Sequence, residues 1–223
     1  MRPIDAYGDL LRMKRPIVTT REAAVRWRSE QGTAGRRLRA IEEAGLARRL
    51  RRGLWALDLD LEPFVVAPYL TAPFPAYVSF WSALSRYGAI EQIPRQISVA
   101  SLDRARRVPT AVGTFEIHHL APELFGGFDG SEETGYLATA EKALFDTVYV
   151  RAAAGSRAFF PELSLPPDFD DAEVEKWIGR IESPRLRTLV SRRIGETIGR
   201  ASRESASVST QPTTRRRRRV PPR

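Results

Sequence analysis

Cysteine is absent from the 223 residues, lysine occurs three times and histidine twice. Without cysteine the chain can build neither a disulfide framework nor a thiolate zinc site. The two histidines, His118 and His119, are adjacent in a segment that reads as a strand. Their side chains then point to opposite faces and do not share a metal. Long apolar runs are also missing. The most apolar stretch, 64–84, is interrupted by Pro68, Pro73 and Pro75 and falls short of the roughly 20 residues that a membrane span needs. The first eleven residues hold no apolar core of the kind an export signal carries, so the expected compartment is the cytoplasm.

What the chain has in excess is arginine, 33 of its 36 basic residues, and a net charge of +9. The charge is unevenly spread. Residues 1–60 carry 14 Lys and Arg against 8 Asp and Glu, residues 61–199 carry 14 against 18, and residues 200–223 carry 8 against 1. A basic segment, a mildly acidic one and a strongly basic end form a three-part layout in which the first part suits a polyanion. From residue 200 the sequence is rich in Ser, Thr and Pro and poor in large apolar residues. Such a composition cannot offset chain entropy and predicts a disordered tail, whose run Arg215 to Arg219 would add sequence-independent phosphate affinity.

Residues 1–60 read as helix, helix, turn, helix and hairpin. Tyr7, Leu10 and Leu11 fit an amphipathic helix that ends before Pro16. Thr19-Thr20 offers a cap to a second helix with Ala23, Ala24 and Trp27 on one face. The segment 29–32 reads as a turn. Thr33 is expected to cap a third helix in which Ala34, Leu38 and Ile41 share a face and Gly45 is the stop. In LARRLRRGLWALD, Arg52-Gly53 supplies a tight turn between two short strands. That order predicts a winged helix-turn-helix.

The arginines then fall where DNA would be. A 100° step per residue sets Arg36 opposite Leu38 and Ile41, with Arg37 and Arg39 on its flanks, on the helix that reads the major groove in such modules. Arg48, Arg49, Arg51 and Arg52 lie on the hairpin, suited to phosphates or the minor groove. With Thr33 at the helix start, these eight residues are the candidate DNA contacts.

The region 61–199 alternates element types. Helices are expected over 62–70, from Ser79 to Gly88, over 140–152 with Thr139 as cap, over 171–181 and over 185–198. Strands are expected over 96–100, 114–120 and 136–138. The fold class is therefore α+β: a winged helix-turn-helix domain (1–60), a mixed α/β domain (61–199) and a disordered Arg-rich tail (200–223).

The second region holds several residue sets of a kind that can carry catalysis. Glu141, Lys142 and Asp146 suggest the carboxylates and lysine of a metal-dependent nuclease, but the usual spacing is missing. A helical reading accounts for them more simply: Glu141 sits in the first turn, where an anion is favoured, and Lys142 pairs with Asp146 one turn on. GGFDG, from Gly126 to Gly130, reads as a turn and lacks the Lys-Ser/Thr of a phosphate loop. Asp168, Asp170, Asp171, Glu173 and Glu175 read as charge favouring a helix start. Tyr77, Phe80, Trp81 and Tyr87 suit either a stacking platform or a core face, and Phe80, Leu84 and Tyr87 have the core spacing. Ser82 and Ser85 have no partner base nearby in sequence. No cofactor, metal or enzymatic activity is expected.

Taken in order, RRLRRGLWALD, YVSFWSALSRYGAIEQIPRQISVAS, GTFEIHHLAPELFGGF and GYLATAEKALFDTVYV resemble the AbiEi family of antitoxins over residues 15–152. The resemblance implies a bacterial transcriptional repressor, bound near the nucleoid to inverted repeats in its own promoter. It also implies a role in a type IV toxin–antitoxin system tied to phage defence. The partner would be a nucleotidyltransferase-like toxin, countered without a stable complex by the second domain. An inverted-repeat operator also admits self-association on DNA. Carried over by position, Arg36, Arg37 and Arg39 would read bases, and Arg49, Arg51 and Arg52 would make the wing contacts. The long Arg-rich tail departs from the family, and the match fades beyond residue 152. A stand-alone DNA-binding regulator, or a nucleic-acid-modifying enzyme built on Glu141, Lys142 and Asp146, are the alternatives.

Overall fold

The computed structural model describes residues 2–209, of which 204–209 are described as backbone. It is a mixed α and β molecule that begins with helices. Helix α1 (Pro3–Leu11) has Pro3 in its first turn, a position where the missing N–H costs nothing. After β1 (Ile17–Thr19), helix α2 (Thr20–Arg26) starts with a full capping box. The Thr19 hydroxyl accepts from the Glu22 amide at 3.1 Å, and the Glu22 carboxylate accepts from the Thr19 amide at 2.7 Å. Helix α3 (Gln31–Glu43) begins three residues earlier than its sequence suggests, taking in Gln31 and Gly32 of the expected turn. Glu30 is the N-cap without a side-chain bond, and Thr33 lies inside the first turn rather than capping it. Gly45, at φ 71°, closes the helix as expected.

Strands β2 (Arg48–Arg51) and β3 (Leu54–Ala56) form the hairpin, and β1 pairs on the other side of β3, giving the order β1-β3-β2. Gly53 takes the turn at φ 81°. All three residues of β3 are buried because both faces of this small sheet are covered. Val18 and Trp55 join Ala6, Leu10, Ala34, Leu38 and Ile41 under the three helices. Ile17, Leu50, Leu54 and Ala56 face the other way, into a cluster shared with Val65, Val99 and Phe115. Double coverage explains why apolar residues on the hairpin alternate so poorly in the sequence. Complete burial of Leu38 and Ile41 contributes about 1.5–3 kcal/mol each, which fixes the face that α3 turns outward.

A 3-10 turn (Pro63–Val66) and α4 (Ala67–Thr71) lead into a six-stranded sheet of order β6-β7-β5-β4-β9-β8. Its strands are β4 (Ala76–Val78), β5 (Ile97–Ser101), β6 (Arg106–Thr110), β7 (Gly113–His119), β8 (Phe128–Ser131) and β9 (Gly135–Ala138). The pairs β4–β9 and β5–β7 are parallel and the others antiparallel. Ala76, Val78, Val99, Val108, Phe115 and Ile117 line one face and meet the small sheet. Tyr77, Ala100 and Ala138 line the other and pack under α5 (Phe80–Arg86), α6 (Ala140–Ala153), α7 (Asp171–Gly179) and α8 (Pro184–Ser209). A backbone bond from the Ala111 amide to the Leu50 carbonyl, 2.9 Å, ties the turn after β6 to β2.

Several expectations for this half need correction. Strands β4, β6 and β8 have no counterpart in the sequence reading. GGFDG is only half a turn, because Phe128, Asp129 and Gly130 continue as β8. Helix α8 passes residue 200, where the composition reading begins a disordered tail. Ala201 is buried in the main core and Arg200 donates to the Phe160 carbonyl at 2.7 Å. One apolar residue per turn was enough to extend the helix. The arginine run 215–219 lies outside the described residues. Among the described residues no helix is long and apolar enough to cross a membrane.

Candidate nucleic-acid interface

Arg36 and Arg39 are exposed on the outer face of α3, opposite its buried stripe. Arg37 is half-buried, and its guanidinium lies over the Trp27 ring at 5.7 Å. The Arg36 guanidinium donates to the Thr33 hydroxyl at 3.0 Å, so Thr33 steadies an arginine one turn on. Gly32, Ala40 and Glu43 share this outer face, the acid at its far end. The small residues around Arg36 leave the helix surface free of bulk.

On the hairpin, Arg48, Arg49, Arg51 and Arg52 are all exposed. The β2–β3 register shifts between Arg49 and Arg51, so Leu50 alone of the strand turns inward. Arg49 lies over the Trp55 ring at 5.7 Å. The Trp55 indole N–H in turn donates to the Thr20 hydroxyl at 2.9 Å, and the Thr20 amide donates to the Gly53 carbonyl at 2.9 Å. The Glu42 carboxylate accepts from the Arg49 amide at 2.7 Å. These bonds join the hairpin to both α2 and α3, so the two arginine groups are held on one frame.

The arginines of this surface are close together and carry no counter-charge among the described residues. Among the described residues, none of Arg36, Arg37, Arg39, Arg48, Arg49, Arg51 and Arg52 has a carboxylate within 4.0 Å. By contrast, Arg2, Arg15 and Arg26 in the same segment are paired with Asp5, Glu22 and Asp9. Seven unneutralised guanidiniums repel one another and carry a cost that a polyanion relieves.

Two supports escaped the sequence reading. Trp27 and Trp55 are the surfaces on which Arg37 and Arg49 rest, and the signal was an indole within an arginine-rich segment. Arg21 and Arg28 flank the exposed Val25 in a shallow groove that reaches Gln31, the first residue of α3.

The second region holds a different arrangement. Lys142 and Asp146, both with fully buried side chains, form an ion pair one turn apart on α6. Ser79 Oγ and the Tyr77 hydroxyl donate to the other Asp146 oxygen at 2.7 and 3.1 Å. Ser79 therefore serves the buried carboxylate instead of capping α5, which corrects its expected role. Burial pushes Asp146 up and Lys142 down, and their mutual attraction opposes both shifts. The ammonium is boxed by the Trp177, Phe145 and Tyr77 rings at 4.5, 5.0 and 5.7 Å. Gly127 presses on this box, since a Cβ there would stand 2.7 Å from Trp177 and 3.0 Å from the Lys142 stem. Glu141 is elsewhere: it accepts from the Asp170 amide at 3.0 Å, across to the start of α7. The nuclease-like trio is therefore not brought together.

Of the remaining candidates, Asp170 caps α7 and Asp171 and Glu173 occupy its first turn. Ser82 Oγ accepts from the Ser98 amide at 2.9 Å. Phe80 and Leu84 are core residues, whereas Tyr87 is 43% exposed against the core expectation. His118 packs on Phe80 with centroids 4.4 Å apart, while His119 is exposed on the other side of β7. Among the described residues no three His, Asp or Glu stand close enough together to hold a metal ion. A scan against protein-family models finds no match for this chain, and a search of curated proteins finds none either.

Proposed function

We propose that the chain binds double-stranded DNA through its first sixty residues, used as a winged helix-turn-helix. The observation that carries the reading is the set of seven arginines without a carboxylate partner on α3 and on the β2–β3 hairpin, two elements joined by the Arg49 amide bond to Glu42 and both packed against α2, to which the Trp55 and Gly53 bonds tie the hairpin. Helix α3 is the element for the major groove, where Arg36 and Arg39 are placed to pair with guanine O6 and N7. The hairpin arginines serve adjacent phosphates or the minor groove.

We further propose that the bound DNA is an operator and that the protein is a repressor of the AbiEi antitoxin type. In that reading it controls its own operon beside a nucleotidyltransferase-like toxin, in the bacterial cytoplasm. The ordered resemblance over residues 15–152 supports this second step, which rests on it alone. The nuclease alternative has less support, because it needs Lys142 and Asp146 open to a substrate and both are enclosed by aromatic rings.

The test is a footprint on the DNA upstream of the chain's own gene. Replacing Arg36 or Arg39 by alanine is expected to cost about 1–3 kcal/mol and to relax base preference at one position. A footprint unchanged in both variants would show that α3 is not the reading helix.

A further inference from the structure

A cleft of about 420 Å3 opens on the helical side of the large sheet, beside β5 and β7, away from the arginine surface. Its wall includes Phe80, Trp81 and His118, the last packed on the Phe80 ring. Arg95 and Arg151 stand at it, both exposed, and among the described residues neither has a carboxylate within 4.0 Å. Glu116 also lines the cleft, but Arg107 holds it at 3.2 Å.

The wall is held by strain. Phe80 has φ 56°, a left-handed conformation that is strained for an aromatic residue. It is imposed from the preceding residue, because the Ser79 hydroxyl is bonded to the buried Asp146 and its amide to the Ser98 carbonyl at 3.0 Å. The buried ion pair thus sets a strained backbone whose ring forms one side of the cleft. Strain kept in this way is found where a side chain must be presented at a fixed place.

We infer that this cleft is a binding site for a small planar aromatic anion. The rings offer a stacking surface, and the two free guanidiniums offer charge for a carboxylate or phosphate. Aromatic carboxylates and mononucleotides share that chemistry. The site is independent of the DNA reading and stands or falls separately.

The full-length protein would be titrated calorimetrically with salicylate, with AMP and with inorganic phosphate. Saturable binding of salicylate or AMP is expected, weakened at least about tenfold in Arg95→Ala/Arg151→Ala, with the responding probe naming the anionic group. A ligand-induced change in tryptophan fluorescence that disappears in Trp81→Phe would place it at the wall. Failure of both aromatic probes to bind below about 1 mM would overturn the inference. So would binding that survives the double arginine replacement, or phosphate binding as tight as that of AMP.

Discussion

The side chains with most at stake singly are those that have lost water altogether. Removing one partner of the Lys142–Asp146 pair leaves a buried charge uncompensated, and Lys142→Met or Asp146→Asn is expected to cost about 3–5 kcal/mol in denaturant unfolding. Replacing both with apolar residues of similar volume should cost less than either single change, a non-additivity that a double-mutant cycle would read. His118 adds a pH dependence. Burial, helped by Arg151 and Arg107 and opposed by Glu116, holds it below its ordinary 6.5. The unfolded chain then takes up the proton first, so stability is full above about pH 6.5 and falls as pH drops from there through the folded value. His118→Phe should flatten that limb of a Tm-against-pH curve. Equal slopes in the two proteins would place the acid sensitivity elsewhere. At this scale the sequence was informative about the outward arginines, since a 100° step suffices to find the face opposite Leu38 and Ile41. It gave the Lys142–Asp146 spacing too, but not the burial, which depends on Trp177 and Gly127 arriving from distant parts of the chain.

Elements were legible where a local signal closes them. Thr19, Thr139, Gly45 and Gly53 each mark an end that the structure also has. Thr19→Ala should cost about 1 kcal/mol by removing one side of the capping box, measured by thermal or chemical unfolding. Short strands gave no such signal. Strand β4 has three residues, all buried, with no alternation to detect, and β6 carries Pro109 next to its last residue. The end of α8 is not legible because its sequence is mostly polar, although Ala201 reaches the core. A chain ending at residue 199 should therefore be less stable than one ending at 209, by on the order of 1–3 kcal/mol. Identical unfolding midpoints would mean that residues 200–209 add nothing to the packed structure.

For the molecule as a whole, the division of charge matters more than its total. Seven arginines without a carboxylate partner lie on α3 and the hairpin, while another side of the small sheet is packed onto the large one through Ile17, Leu50 and Leu54. A rigid mount of this kind suits a surface that must meet a regular polyanion in one orientation. The final 14 residues, whose arginines are outside the described structure, contribute charge without regard to sequence. The central claim is that α3 and the hairpin choose the DNA and the tail only adds affinity. The direct measurement is a titration of the full chain and of a chain ending at 209 on DNA upstream of the gene and on scrambled DNA, over a range of salt. The account predicts that the shorter chain keeps its preference for the upstream DNA, with weaker binding to both and a shallower salt slope. Equal affinity for the two DNAs, lost together with the tail, would contradict it.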